Sequence, residues 1–315
     1  MRTQRIASTE LVTTRLAHGG MRFFEAGHPP KKPTRECRDR GIEACIAAYD
    51  AGYRLFDTAD VYGRGACEEI FGEALKRVEG FRDTVMIATK CGIRHAQEPT
   101  PEAPQRFDFS AEHILRSCDG SLKRIGIDTI DIYQLHRPDA LCDPHEVAAA
   151  FDKMKQQGKV LNFGISNFLP SQVAMLQRWL NVPLLINQVK IHLLQLDCFR
   201  DGTLDQCLEQ QITPLAWSPL ATGLLAEGDA VPPNHPKRAI IEDVLTTLDG
   251  LAKDFGASRA AIALAWLLKH PAGIIPIVGS VNPQHIRDAV KANDIDLTRE
   301  QWYQLYVAAR GEPMP

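Results

Sequence analysis

Short apolar runs alternate along this chain with longer stretches in which apolar residues recur every three or four positions. The runs "RLFDT", "VMIATK", "IDIYQLH", "VLNFGIS", "LLINQV", "TPLAWS" and "IIPIVGS" read as buried strands, with "RLAHGG" as a weaker first one. Helical patterns follow most of them: Ile42, Cys45, Ile46 and Tyr49 share one face, as do Leu115, Cys118, Leu122 and Ile125, and "AAIALAWLLKH" is apolar nearly all round. In "DPHEVAAAFDKMKQQGKV", Asp143 is placed to cap a helix with Pro144 at its first position and Glu146 completing a capping box. Val147, Phe151 and Met154 then form the inward face, and Gly158 ends the helix. Eight strands, each trailed by a helix, predict an α/β fold of the (β/α)8 TIM barrel type rather than a doubly wound sheet. With no Gly- or Pro-rich linker to divide it, residues 1–315 are expected to form a single domain.

Two connections are longer than a barrel needs. "CGIRHAQEPTPEAPQRFDF", residues 91–109, follows the third strand, and "PLATGLLAEGDAVPPNHPKR", residues 219–238, follows the seventh. Loops of this length are usually functional or mobile, so both are candidates for covering a site.

Composition narrows the function. At 315 residues, 44% hydrophobic and 24% charged, the chain has the make-up of an ordinary globular protein. The 36 Lys and Arg against 39 Asp and Glu give a net charge of -3, which offers no footprint for nucleic acid or an anionic membrane. The expected partner is a small molecule and the expected state a monomer. The start, "MRTQRIASTE", has no apolar leader and no window is long enough for a spanning helix, so the expected location is cytoplasmic. Eight scattered cysteines without a CxxC pair argue against a zinc site or a disulfide framework.

In such a barrel the chemistry lies at the C-terminal ends of the strands. Asp57 ends the second strand, Lys90 the third and His136 the fourth; Ser166 and Asn167 end the fifth, Gln188 lies near the end of the sixth, Trp217 and Ser218 end the seventh, and Gly279 and Ser280 the eighth. Taken singly, each has an ordinary explanation as a helix cap, a solvated lysine or a structural histidine. Together with Tyr62, five residues after Asp57, they suit proton transfer to a carbonyl oxygen. A phenol titrates near 10, and a neighbouring ammonium stabilises its phenolate. Lys90 supplies that charge, Asp57 keeps Lys90 charged, and His136 is placed to bond the substrate oxygen.

The segments "DTADVYG", "ATKCGI", "LHRPD", "GISNF", "NQV", "WSPLATGLL" and "PIVGS" are similar to the aldo-keto reductase superfamily, most closely its bacterial and fungal oxidoreductase branch, from about residue 11 to the C-terminal helix. The resemblance implies reduction of an aldehyde or ketone with NADP(H). It implies Tyr62 as general acid, Lys90 and Asp57 as its tuning pair, and His136 as the residue that orients the substrate. Ser166, Asn167 and Gln188 match positions that hold the nicotinamide carboxamide, Trp217 matches the ring that stacks on the nicotinamide, and Ser218, Leu220 and Gly223 match the loop along the pyrophosphate. No GxGxxG is present, as the family's barrel mode of dinucleotide binding implies.

Two features depart from the family. Arg137 follows His136 where many members carry an aromatic residue; with Arg22, Arg94 and His95 near the mouth it points to an anionic carbonyl substrate, or else to solvated loop charges. At the eighth strand end, Gly279 opens "GSVNPQHIRDAVKAN" and Ser280 matches a residue at the adenosine 2′-phosphate, but His285 stands where an arginine is usual. Arg287 is then placed to reach the phosphate and Asp288 to bond the adenine amino group, and the expected NADPH preference is weaker than usual and stronger at acid pH. Two other classes remain open: a Schiff-base lyase using Lys90, against which Asp57 argues, and a non-enzymatic subunit that keeps the dinucleotide site and reports redox state.

Overall fold

The computed structural model describes residues 1–24, 32–226, 231 and 234–315. The strands are β1 (Thr3–Arg5), β2 (Val12–Thr14), β3 (Ala17–Gly19), β4 (Leu55–Asp57), β5 (Met86–Cys91), β6 (Ile93–Arg94), β7 (Arg106–Phe107), β8 (Ile130–Leu135), β9 (Val160–Ser166), β10 (Leu184–Lys190), β11 (Thr213–Trp217) and β12 (Ile275–Val278). Eight of them close a parallel barrel in the order β3-β4-β5-β8-β9-β10-β11-β12, with β12 pairing back onto β3. These are the eight predicted strands, the weak first one included.

The helices are α1 (Arg35–Asp50), α2 (Ala66–Arg77), α3 (Ala111–Ile125), α4 (Pro144–Gln156), α5 (Pro170–Gln177), α6 (Thr203–Glu209), α7 (Arg238–Phe255), α8 (Arg259–Leu268), α9 (Pro283–Ala289) and α10 (Arg299–Arg310). Asp143 caps α4 by accepting from His145 N at 2.9 Å. Glu146 does not complete a capping box; its Oε2 accepts from Ala111 N at 3.1 Å, a tertiary bond to the start of α3 that a local sequence pattern does not reveal. Val147, Phe151 and Met154 are buried as predicted. Helix α8 buries nearly all its length, as its all-round apolar pattern requires.

Side chains alternate across each barrel strand, so every second residue fills the interior. Leu55, Ala88, Ile132, Ile186, Leu215 and Ile275 form that filling. The antiparallel pair β1 and β2 closes its N-terminal end: Ile6, fully buried, joins the same cluster, and Ala7 N donates to Thr213 Oγ1 at 2.7 Å. With one end plugged and the interior packed, the polar strand ends are left at the opposite mouth.

The connection 91–109 carries the antiparallel pair β6 and β7. It is tied to the loop before α2 by the Arg64–Glu98 ion pair. The connection 219–238 is described in part; residues 227–230 and 232–233 of that expected cover lie outside the described residues. Among the described residues no disulfide joins the cysteines, and six of the eight are buried. Among the described residues no helix is long and apolar enough to cross a membrane, and no cluster of His, Cys, Asp or Glu is arranged to hold a metal.

Candidate active site

A cleft of about 430 Å3 opens at the C-terminal mouth. Asp57, Tyr62, His136, Ser166, Asn167, Gln188, Trp217, Ser218, Leu220, Gly223, Gly279, Ser280, His285 and Asp288 all line it. Lys90 lies directly beneath, fully buried.

The deepest part is an ion-pair cluster. Lys90 Nζ donates to Asp57 Oδ2 at 2.7 Å and to the carbonyl of Thr58 at 2.6 Å, and lies 3.3 Å from Tyr62 Oη. Asp57 Oδ1 accepts from Gln188 Nε2 at 2.8 Å and from Gln134 Nε2 at 3.3 Å. Asp57 is therefore no helix cap; α2 begins nine residues later, after Gly65. Burial acts to lower the Lys90 ammonium, yet Asp57 and the Tyr62 oxygen outweigh it and hold Lys90 above its ordinary value. An ammonium so held, with its three hydrogens directed at three oxygens, is unsuited to a Schiff base, which needs a neutral amine.

Tyr62 stands in a tight turn that a glycine makes possible. Gly65 has φ +91°, and a Cβ there would lie 2.6 Å from Arg124 Cδ. Burial pushes the Tyr62 phenol up, and Lys90 opposes that push. The ring lies edge-to-face against His136, with centroids 5.5 Å apart at 79°. Burial, aided by Lys90 and Arg137, holds His136 well below the usual imidazole range, so the ring is neutral. Its Nδ1 is buried without a hydrogen-bond partner among the described residues.

Along the next strand ends the polar groups bond one another. Asn167, at φ +63°, donates from Nδ2 to Ser166 Oγ at 2.7 Å and accepts on Oδ1 from Trp217 Nε1 at 2.9 Å. The Ser166 hydroxyl donates to the Gln188 carbonyl at 2.8 Å. Beyond Trp217 the backbone turns through positive φ at Ser218, Ala221, Thr222 and Gly223. Across the cleft, Arg22 reaches the Thr222 carbonyl at 2.9 Å.

The far end does not match every expectation. Ser280, His285 and Asp288 line the cleft, but Arg287 does not: it sits exposed on α9 with its guanidinium 3.4 Å from Gln284 Oε1. Of the cations expected near the mouth, Arg22 and Arg137 line the cleft, Arg94 is paired with Asp108 at 2.8 Å, and His95 is outside the lining. Gln134 was missed by the sequence reading. Its signal was the inward alternation of Ile132, Gln134 and His136 on one strand. Ser258 and Ala260, which also line the cleft, lie at the start of a helix distant in sequence from any strand end and carry no such signal.

The donor set fits a nicotinamide dinucleotide. The amides of Asn167 and Gln188 offer donors and acceptors, and Trp217 presents a flat ring. At Gly279 an added Cβ meets nothing within 4 Å and φ is not left-handed, so neither packing nor conformation requires glycine, and the backbone there is open to the cleft.

Residues 15–308 match the Aldo/keto reductase family model. The chain is 36% identical over 318 residues to a 6-dehydroglucose reductase of Novosphingobium aromaticivorans, covering 99% of this chain and 97% of that one. It is 36% identical to oxidoreductase YdhF of Escherichia coli, covering 84% and 86%. The solved structure of a thermostable aldo-keto reductase, Tm1743, superposes with a TM-score of 0.82 at 27% identity, covering 98% of this chain and all of that one. These relatives are named as reductases and an oxidoreductase, and the family generally binds a nicotinamide cofactor. By sequence over nearly its whole length and by its closed eight-stranded barrel, the chain belongs to the aldo/keto reductase family.

Proposed function

We propose that the chain, working as one barrel domain, reduces an aldehyde or ketone to an alcohol using NADPH, with Tyr62 as the general acid. When bound, the reduced nicotinamide supplies the hydride. The Tyr62 hydroxyl gives its proton to the carbonyl oxygen as the carbonyl carbon accepts that hydride, so the carbonyl becomes an alcohol. Lys90 at 3.3 Å stabilises the phenolate left behind, and Asp57 fixes Lys90. Neutral His136 donates a hydrogen bond to the same oxygen and so sets which face of the carbonyl is presented. Ser166, Asn167 and Gln188 are the groups assigned to the carboxamide and Trp217 to the nicotinamide face. The turn 218–223 is assigned to the pyrophosphate and Ser280 with His285 to the 2′-phosphate, while Asp288 faces the adenine.

The single observation that carries this reading is the 3.3 Å separation of a buried, carboxylate-anchored ammonium from a phenol at the cleft wall. The experiment is to mix the protein with NADPH or NADH and a panel of aldehydes and ketones, following absorbance and cofactor fluorescence. Turnover supports the reductase. A fluorescence change without turnover supports a redox-sensing subunit instead.

A further inference from the structure

The Arg137 guanidinium lines the cleft half-buried and makes no hydrogen bond or ion pair among the described residues. A cation partly removed from water normally recovers the lost solvation from a carboxylate. Among the described residues none is in reach, and the ionisable group that favours the Arg137 charge is Tyr62, the proposed acid. The Arg137 Cζ lies 5.3 Å from the centroid of the Trp217 ring, and Lys190 Nζ lies 5.3 Å from the same centroid. Lys190 also has no ion pair among the described residues. Arg137, which lines the cleft, and Lys190, which lies outside its lining, therefore both stand beside one indole without an ion pair among the described residues. The carboxylates that line the cleft are committed elsewhere: Asp57 to Lys90, and Asp288, at the far end, to Lys291 at 3.1 Å. Arg22 is left out of this count because it bonds the Thr222 carbonyl, in the turn assigned to the pyrophosphate.

We propose that Arg137 holds an anionic group of the substrate, so that the substrate is a carbonyl compound bearing a carboxylate or a phosphate. This rests on the reductase reading above and adds the substrate's charge to it. Arg137 directly follows His136, so their Cα atoms are ~3.8 Å apart. The anion and the carbonyl therefore belong to one compact molecule. A guanidinium presents a planar fork that matches the oxygens of either anion.

The test compares pairs that differ in charge: the near-isosteric 4-carboxybenzaldehyde and 4-methylbenzaldehyde, and glycolaldehyde phosphate with glycolaldehyde, which lacks the phosphoryl group. Binding of the product pair, 4-(hydroxymethyl)benzoate and 4-methylbenzyl alcohol, is followed separately by tryptophan fluorescence in the presence of oxidised nicotinamide cofactor. In the wild type at least one charged member of a pair is expected to be favoured at least about tenfold over its neutral partner. Which pair shows it separates carboxylate from phosphate. Arg137→Met should bring the ratio toward one, chiefly through KM, and Arg137→Lys should keep part of it. Equal binding and turnover of charged and neutral partners in the wild type would overturn the proposal. So would an Arg137→Met variant that slows both partners equally through kcat and moves the pH profile, because Arg137 would then be a tuning cation for Tyr62. Arg137-dependent binding of the benzoate with no turnover of any aldehyde would leave the anion site standing and overturn the reductase reading instead.

Discussion

Lys90 Nζ lies between two oxygens of different character, 2.7 Å from Asp57 Oδ2 and 3.3 Å from Tyr62 Oη. The first bond anchors the ammonium and the second spends its charge on the phenol. Asp57 is held in turn by the amides of Gln188 and Gln134, so the position of one proton donor is set by four buried side chains on four barrel strands.

Replacing Tyr62 with Phe keeps the ring against His136 and removes the proton. Carbonyl reduction is expected to fall by about 10²–10⁴-fold while cofactor affinity, measured by fluorescence titration, stays within a few-fold. Activity within about tenfold of wild type, roughly 1.4 kcal/mol of barrier, is the result that removes Tyr62 from the role of acid.

Lys90→Met tests the charge rather than the proton. Reduction needs the protonated phenol, so the rate falls as pH rises through the Tyr62 pKa. Without the ammonium that pKa moves higher. The basic limb of the pH profile is therefore expected to shift upward or vanish, with activity lowered at least about a hundredfold. The same change leaves Asp57 buried without a counter-ion and should cost about 3 kcal/mol of stability, read from urea unfolding. An unchanged rate and profile with lowered stability would make Lys90 a purely structural residue.

In the proposed function the dinucleotide preference turns on His285, which lines the cleft end where Arg287 does not. An imidazole offers fewer donors than a guanidinium and, unlike it, gains its charge only at acid pH. Comparing kcat/KM for NADPH and NADH at pH 6 and pH 8 should show a preference for NADPH that is larger at pH 6. His285→Arg should enlarge it at pH 8 and flatten its pH dependence. A preference indifferent to both changes places the 2′-phosphate away from His285, and a clear preference for NADH reverses the choice of cofactor.

The barrel was legible in the sequence because each of its strands is a short apolar run with a polar residue at the mouth end. Asp57, Lys90, His136 and Gln188 could be listed from strand ends alone. The plug formed by β1 and β2 was not legible: three-residue strands such as Thr3–Arg5 carry too few positions to show a period. Whether Arg94 faces the cleft or pairs with Asp108, and whether Glu146 caps its own helix or bonds Ala111, depends on tertiary neighbours that no local pattern encodes. The left-out Gln134 shows the converse, since its inward position followed from strand alternation once His136 was placed.

Behind the Tyr62 turn, Asp60 offers a test of stability against pH. Its Oδ1 is buried without a hydrogen-bond partner among the described residues. Burial first, then the neighbouring Glu68 carboxylate, push its carboxyl up to about 7, while Arg124 opposes them. Glu68 is itself committed, accepting from Arg124 Nε at 2.6 Å and from Thr89 Oγ1 at 2.6 Å, so Arg124 is shared and Asp60 is left as the acid that keeps its proton. An unfolded aspartate titrates near 3.9. Between about pH 4 and pH 7 the folded chain therefore holds a proton at Asp60 that the unfolded chain has lost, so this group's contribution to stability declines as pH rises through that window and is level above it. Asp60→Asn keeps the shape and stays neutral throughout. The variant is expected to gain stability over wild type at pH 8, by at least about 1 kcal/mol, and to show little gain at pH 4. Urea midpoints for both proteins at the two pH values measure it. A difference between variant and wild type that does not change with pH would mean that Asp60 is ionised in the fold, and that Arg124 serves both carboxylates.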